Sequence, residues 1–371
     1  MRGLDYYLPT MAMLLVQFLY AGNSLVVKTV LLQGMSPRVF IVYRHAFATT
    51  VIAPIAYFQG KNSASYSLNL RSFSLIFFTA LIGIALSQNL YAEGLSLTSA
   101  SIASAMANFV PAVTFVMTTC LGMEKVNIRS SRSLAKIVGT MVCVSGAMCI
   151  AFLKGPKLLN VKNLPSQSIM ASGSESWLLG CLTLFGCCCA WSVWLIVQVP
   201  ATESHPHHLS FSAWMCFMGT LESAVVALLL EPDLNAWKIN SLLELGCALT
   251  SGVMGSSAAY FLQAWCISRR GPLFCSMFNP LSTVIVTILA ALLLHEQIYI
   301  GSLTGAIGVI IGLYVVLWGK AEEVVMKVET VTKSMVNPSE EVKILMKETS
   351  KEVHCKTDLK EPLLFAESLL T

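Results

Sequence analysis

The chain has 371 residues, of which 55% are hydrophobic and only 12% are charged, and its formal net charge is +4. A soluble domain carries about 25% charged residues, so this excess of apolar side chains predicts a multi-pass membrane protein. The small net charge, without a basic block, excludes nucleic acid as an expected partner.

Apolar stretches along the chain predict about ten transmembrane helices in two groups of five, because a helix needs about 20 residues to cross the hydrocarbon core. The predicted spans, in chain order, are Leu8–Leu31, Pro37–Phe58, Phe73–Tyr91, Ala100–Leu121, Leu134–Leu153, Trp177–Val199, Leu209–Leu230, Leu243–Ala264, Leu273–Leu294 and Tyr299–Trp318. The predicted architecture is therefore all-α and integral to the membrane. It has a first five-helix repeat at 8–153, a polar linker at 154–176, a second repeat at 177–318 and a cytosolic polar tail at 319–371.

The two halves share a sequence element, which reads Glu-Lys-Val-Asn-Ile at 124–128 and Glu-Gln-Ile-Tyr-Ile at 296–300. In each half it follows an apolar stretch that opens with an Asn and a Pro, and it precedes a stretch spaced by glycines. The matching residues are Asn108, Pro111, Gly139 and Gly146 in the first half and Asn279, Pro280, Gly305 and Gly312 in the second. Because a duplicated unit with an odd number of helices enters the membrane from opposite sides, we expect inverted repeats, a layout common in transporters.

Lysines and arginines in the loops predict the orientation in the membrane, since cytosolic loops carry more of them. If the N-terminus is cytosolic, the cytosolic segments contain Arg2, Lys61, Arg71, Lys125, Arg129, Arg132, Lys136, Arg269, Arg270 and Lys320. The lysines of the predicted linker oppose this count. The balance still predicts that both termini are cytosolic.

Polar side chains at membrane depth are costly and usually face the protein interior or a cavity. The predicted fourth and ninth spans each carry small polar residues at helical spacing beside a proline, which removes a backbone donor and can expose a carbonyl to a ligand. Asn108 and Asn279 are the candidates on these faces, because an amide is harder to bury than a hydroxyl. Close packing of helices through small residues explains the same pattern equally well.

Three further spans carry amide and aromatic side chains along single helical stripes. They are Gln88, Asn89 and Tyr91 in the third span, Trp191, Trp194 and Gln198 in the sixth, and Ser256, Tyr260 and Gln263 in the eighth. If these stripes face one another, they form a pocket suited to a small zwitterion or an aromatic acid. Anchoring at the membrane interface is the alternative role of each tryptophan.

Charged residues inside the predicted spans are few. Arg44 lies two turns into the second span, where it needs either a substrate carboxylate or an acidic side chain of the protein as partner. Glu222 in the seventh span is deep enough for a proton site, and the alternatives are a bond to a neighbouring serine or a protonated carboxyl. Glu124 and Glu296 close the same segment in both halves, which favours a structural role such as capping the next helix.

Motifs of catalysis are absent from the sequence, which contains no P-loop, HExxH or G-x-S-x-G. The 12 cysteines show no zinc spacing and are interpreted as packing residues. We therefore expect no enzyme activity, no cofactor and no metal. A multi-pass membrane enzyme and a scaffold that acts through its tail are the alternative classes.

Several runs of residues together resemble a known family. They are Asn108-x-x-Pro111 ahead of Glu-Lys-Val-Asn-Ile, the sequence Val-Tyr-Arg-His-Ala at 42–46, the sequence Gln-Asn-Leu-Tyr at 88–91, and the paired five-helix repeats. Over residues 8–318 the chain resembles the EamA-type, nodulin-like or walls-are-thin-related (UMAMIT) branch of the plant drug/metabolite transporter superfamily. In the second repeat Pro280 follows Asn279 directly, which departs from the first.

The resemblance implies a central cavity, alternating access and export or bidirectional facilitated movement of amino acids, with auxin or another small organic metabolite as the alternative substrate. The expected partners are that small molecule and the lipid bilayer, in the plasma membrane in preference to the vacuolar membrane. The predicted substrate-binding residues are Tyr20, Arg44, Gln88, Tyr91, Asn108, Trp194, Gln198, Gln263 and Asn279.

Overall fold

A computed structural model describes residues 2–60, 69–98, 100–124, 131–152, 174–231, 233–239, 241–293, 301 and 303–319. These residues are almost entirely helical, and none of them lies in a strand. The helices are α1 (Arg2–Leu32), α2 (Pro37–Gly60), α3 (Leu70–Leu97), α4 (Ala100–Ala107), α5 (Val110–Cys120), α6 (Ser131–Phe152), α7 (Ser174–Ser204), α8 (His208–Leu230), α9 (Leu242–Arg270), α10 (Pro272–Ser276), α11 (Asn279–Leu293) and α12 (Leu303–Gly319). The predicted tail after Gly319 and most of the predicted linker, including 154–173, lie outside the described residues.

Seven stretches are long and apolar enough to cross a membrane: α1, α2, α3, α7, α8, α9 and the segment Pro272–Leu289. Shorter apolar helices, within α5, α6 and α12, lie in three other predicted spans. The fold class is therefore the predicted all-α membrane protein. The largest difference in length is in α3, which continues to Leu97 where the sequence predicts an end near Tyr91.

The predicted fourth and ninth spans are both interrupted, and the interruption falls at the Asn–Pro element. Asn108 lies in the break between α4 and α5, and Pro111 stands in the first turn of α5. In the second half, Asn279 and Pro280 begin α11 directly after the break that follows α10. Proline lacks a backbone N–H and fits the first turn of a helix, so it sets where the second helix of each pair begins.

The third helix of each half contains a π-helical segment. These segments are Leu81–Leu86 in α3 and Ser251–Ala258 in α9. A π-helical turn shifts the phase of the side chains that follow it, and such turns are frequent at functional sites. Gln88 and Tyr260 occupy matching positions, each two residues after its π segment.

Helix packing is reciprocal between the halves. Helix α1 packs against α9 and α11, and α7 packs against their counterparts in the first half, α3 and the α4–α5 pair. Helix α2 packs against its own counterpart α8, and α5 packs against α10. These reciprocal contacts are those of two five-helix units related by a two-fold axis. Helices α1 and α9 run antiparallel, since Pro9 lies beside Cys266 and Gln33 beside Ser241.

The glycine-spaced helices α6 and α12 touch through their backbones. A Cβ on Gly139 would lie 2.9 Å from the Gly312 carbonyl oxygen, and one on Gly312 would lie 2.7 Å from the Gly139 oxygen. A Cβ on Gly146 would lie 2.8 Å from the Gly305 oxygen. Real Cβ atoms do not come so close, so the glycines at 139, 146 and 312 allow the approach. The repeated glycines thus serve close helix packing.

Candidate functional site

The hydroxyl of Tyr260 in α9 is the centre of a buried polar cluster. It accepts hydrogen bonds from Arg44 Nη2 and from Gln88 Nε2, both at 3.3 Å. His45 Nδ1 lies 2.8 Å from the Ile41 carbonyl oxygen, which can only accept, so this nitrogen carries a proton. In the neutral imidazole, His45 Nε2 then accepts a hydrogen bond from the Tyr260 hydroxyl, 3.3 Å away. Helices α2, α3 and α9 therefore meet at one oxygen atom.

Aromatic rings continue from this cluster to α1. The ring centroid of Trp194 lies 5.3 Å from that of Tyr260 and 4.6 Å from that of Trp191. Trp191 meets Tyr20 edge to face at 6.2 Å, and the Tyr20 hydroxyl donates to Gln263 Oε1 at 2.9 Å. Helices α1, α7 and α9 thus present a continuous wall of rings with hydrogen-bonding groups at both ends.

The π segments make room for two of the side chains at this level. A Cβ on Gly83 would lie 2.0 Å from Trp194 Cδ1, so the tryptophan rests directly on the backbone of α3. In the matching place of the other half, a Cβ on Gly255 would lie 2.5 Å from Asn23 Oδ1, which accepts a hydrogen bond from Ser251 Oγ. One distorted turn in each half therefore seats a large or polar side chain of the opposite half.

Arg44 is buried, with 8% of its surface exposed. Its backbone approaches α9 closely, since a Cβ on Gly252 would lie 2.6 Å from the Arg44 carbonyl oxygen, and this approach brings the guanidinium to Tyr260. Within the part of the chain that the structure describes, no carboxylate lies within ion-pair distance of Arg44. Its Nε atom is buried and has no hydrogen-bond partner there. A buried cation left without a counter-ion is costly, so this group has the chemistry to bind an anion.

The remaining predicted residues lie in different surroundings. Asn108 Oδ1 accepts a hydrogen bond from Thr283 Oγ1 at 3.0 Å, which links the two interrupted spans, and Asn279 is half-buried at the start of α11. Gln198 is fully buried, and neither atom of its amide has a partner among the described residues. Tyr91 is 41% exposed, and no described hydrogen bond or ring contact joins it to the Tyr260 cluster. The structure therefore brings Tyr20, Arg44, Gln88, Trp194 and Gln263 together and leaves Tyr91 apart.

Three residues that contact this cluster, Tyr260, Trp191 and His45, are absent from the predicted set. Tyr260 and Trp191 lie on the predicted stripes of Gln263 and Trp194, so periodicity contained the signal for them. His45 is the chain neighbour of Arg44. Gln17 lies three residues before Tyr20, one turn along the same face of α1, and it is fully buried.

Ion pairs join helices at both ends of the bundle. At one end, Arg38 of α2 pairs with Glu93 at 3.0 Å and with Glu231 at 3.3 Å, and the Ser36 hydroxyl donates to the same Glu231 oxygen. At the other end, Lys136 and Glu124 form a buried ion pair at 3.0 Å. The Glu124 carboxylate of the duplicated element thus contacts the following helix α6. Glu296, its counterpart, lies outside the described residues.

No group of three metal-ligating side chains occurs in the described part of the chain. A groove of about 450 Å³ is lined by Val26, Leu242, Leu243, Gly246, Cys247 and Thr250. It contains none of the predicted site residues, and its lining is mostly apolar.

Comparison with known proteins places the chain among membrane transporters. A model described as the EamA-like transporter family matches residues 8–152 and 178–318. A WAT1-related protein of Arabidopsis thaliana is 49% identical over 95% of this chain and 96% of its own. The auxin-induced protein of Pinus taeda is 41% identical over 84% and 78% of the two chains, and Protein WALLS ARE THIN 1 of Arabidopsis thaliana is 39% identical over 84% and 83%.

A solved crystal structure has the same fold. It superimposes on this chain with a TM-score of 0.63, over 84% of this chain and 98% of the other, at 13% sequence identity.

Proposed function

Because the chain belongs to the EamA-like transporter family, we propose that it is a facilitator or exporter of amino acids that works by alternating access. The observation that carries the choice of substrate is the buried Arg44 guanidinium, which has a free Nε atom and no carboxylate partner among the described residues. A substrate carboxylate would supply the missing counter-ion in a charge-assisted pair.

The rest of the site suits an amino acid. Asn89, next to Gln88 in α3, donates its Nδ2 to the Ala85 carbonyl at 2.6 Å, while its buried Oδ1 has no partner in the described part of the chain. Amide oxygens of this kind accept from an ammonium group. The ring of Trp191, which is half-buried beside Tyr20, offers apolar surface to the substrate side chain.

Alternating access is supported by the reciprocal packing of the halves and by the ion pairs at the bundle end. The Arg38, Glu93 and Glu231 side chains come from α2, α3 and the end of α8, so opening at this end requires these pairs to separate. With both termini in the cytosol, this end would face away from the cytosol, and we assign the protein to the plasma membrane.

Auxin, or another organic acid without an ammonium group, is the second candidate substrate. A relative from Pinus taeda is named as auxin-induced, and the half-buried rings of Tyr20 and Trp191 are suitable partners for an indole ring. Arg44 would bind the carboxylate in either case. The two candidates differ in whether the ammonium group contributes to recognition.

Uptake into proteoliposomes tests the proposal. We expect radiolabelled amino acids to move faster than in protein-free vesicles, and Arg44→Gln to reduce this flux at least tenfold. Arg71→Gln, at an exposed position of α3, is the matched control and should retain the flux. Equal flux with and without protein across a broad amino-acid panel would show the proposal to be wrong. Uptake of indole-3-acetic acid alone would select the second candidate.

A further inference from the structure

Three glutamines near the ring wall have almost no hydrogen-bond partners. Gln17 and Gln198 are fully buried, and Gln263 is 2% exposed. Both amide atoms of Gln17, both of Gln198 and the Nε2 atom of Gln263 have no partner in the part of the chain that the structure describes. Only Gln263 Oε1 is engaged, by the Tyr20 hydroxyl. Buried amides are nearly always hydrogen-bonded, so these atoms are donors and acceptors available to a bound polar group.

The three amides are positioned on the same side of the ring wall. Helices α1 and α9 run antiparallel, so moving back from Tyr20 to Gln17 and forward from Tyr260 to Gln263 leads toward the same end of the bundle. Helix α7 ends at Ser204, just before His208, and His208 Nε2 lies 3.3 Å from Ser268 Oγ near the end of α9, so α7 and α9 run toward the same end of the bundle. Gln198 follows Trp194 by one turn of α7, and Trp194 contacts Tyr260. Each glutamine thus lies about one helical turn, roughly 5 Å, beyond a ring of the wall.

The hydrogen-bonding chemistry here differs from that at Arg44. The free amide atoms include both donors and acceptors, and no charged side chain of the described residues bonds to them. A ligand group that satisfies them is uncharged and must both donate and accept hydrogen bonds, as a primary carboxamide does. A carboxylate can only accept and an ammonium can only donate.

We propose that Gln17, Gln198 and Gln263 form a subsite for the uncharged polar end of a substrate whose carboxylate binds Arg44. This inference rests on the proposed amino-acid transport and narrows the substrate class to amino acids with a carboxamide side chain. The separation of about one turn between the Arg44 and Gln263 levels fits the short side chain of glutamine. A site that hydrogen-bonds a substrate group rejects analogues that lack the group.

Competition against labelled glutamine in wild-type proteoliposomes tests the subsite without any variant. Unlabelled L-glutamine should inhibit at a concentration at least tenfold below that of L-methionine, which has similar length but no amide, and L-glutamate should also be weak. Equal inhibition by glutamine and methionine would overturn the subsite while leaving amino-acid transport in place. If no amino acid is transported, the proposed function fails instead.

Two variants test whether Gln17 and Gln198 are responsible for the selectivity for glutamine over methionine. Gln17→Leu and Gln198→Met should each lower the ratio of kcat/KM for glutamine to that for methionine at least tenfold. Gln59→Leu, at an exposed position near the end of α2, is the matched control and should leave the ratio unchanged. A parallel loss for both substrates in both variants would indicate a purely structural role for these amides and would overturn the proposal.

Discussion

Two arginines of α2, Arg38 and Arg44, lie less than two turns apart and have opposite surroundings. The side chain of Arg38 is 28% exposed and pairs with Glu93 and Glu231 at one end of the bundle. Arg44 is 8% exposed and, in the described part of the chain, has a tyrosine hydroxyl as partner but no carboxylate. Among the described residues, the arginine at the end of the bundle is neutralised by carboxylates, whereas the arginine at the centre is not. The Lys136–Glu124 pair at the other end follows the same rule as Arg38.

The largest expected effect concerns the end regions. Lys136→Met removes one partner of the buried ion pair with Glu124, which should lower the free energy of unfolding by about 3–5 kcal/mol. Thermal unfolding in detergent, followed by tryptophan fluorescence, measures the loss. The double variant Lys136→Met with Glu124→Gln should recover much of it, because the side chain at position 124 is then neutral and needs no cation beside it. If Lys136→Met were as stable as wild type, the ion pair would not stabilise this end of the bundle, and the contrast between the ends and the centre would be wrong.

The second effect compares the two arginines by the change in KM when each is replaced by lysine. Arg44→Lys keeps the charge but loses the planar fork that binds a carboxylate through two hydrogen bonds, so KM should rise about 10–100-fold, equivalent to about 1.4–2.8 kcal/mol. Arg38→Lys should change KM less than threefold, since partly exposed ion pairs contribute about 0–1 kcal/mol. Initial rates over a range of amino-acid concentrations measure both values. Similar changes for the two variants would mean that Arg44 has no special relation to the substrate.

The smallest expected effect concerns the contact between Gly83 and Trp194 at the centre of the bundle. Gly83→Ala places a methyl group 2.0 Å from Trp194 Cδ1 in the present packing, and overpacking of this kind should cost about 1–3 kcal/mol of unfolding free energy. Gly186→Ala is the control, because its Cβ would lie 3.7 Å from Leu90 Cδ1, an ordinary contact, and alanine favours the helix. Thermal unfolding compares them. With Trp194→Ala in the background, Gly83→Ala should cost less, and an unchanged cost would argue against direct contact.

Sequence patterns predicted the fold because the bilayer makes helices visible as apolar stretches. The two interruptions were not predicted, since each of these spans was expected to be one helix, although Asn108 with Pro111 and Asn279 with Pro280 stand at the two breaks. The π segments could not be predicted in this way. Their residues at 81–86 are as apolar as an ordinary helix, and the contact of Gly83 with Trp194 joins residues that are far apart in the sequence.

The site was predictable as a set of faces but not as a set of contacts. Periodicity placed Tyr260 on one stripe with Gln263, yet only the packing of α2, α3 and α9 shows that one hydroxyl meets Arg44 and Gln88. Tyr91 follows Gln88 by three residues, but the neighbouring helices leave it 41% exposed. Helical periodicity shows which residues share a face of one helix. The contacts that each of these residues makes depend on side chains that are far away in the sequence.

The matching positions of Gln88 and Tyr260 have a consequence for the orientation of a ligand bound between the two halves. The same helix position occurs once in each half, and it is Gln88 in the first half and Tyr260 in the second. These two side chains are hydrogen-bonded to each other beside the two-fold axis. The two halves have similar folds, but the interior between them is asymmetric, because Arg44 lies on one side only. A ligand bound there would have a defined head and tail throughout its passage, even though the protein around it is built from two similar units.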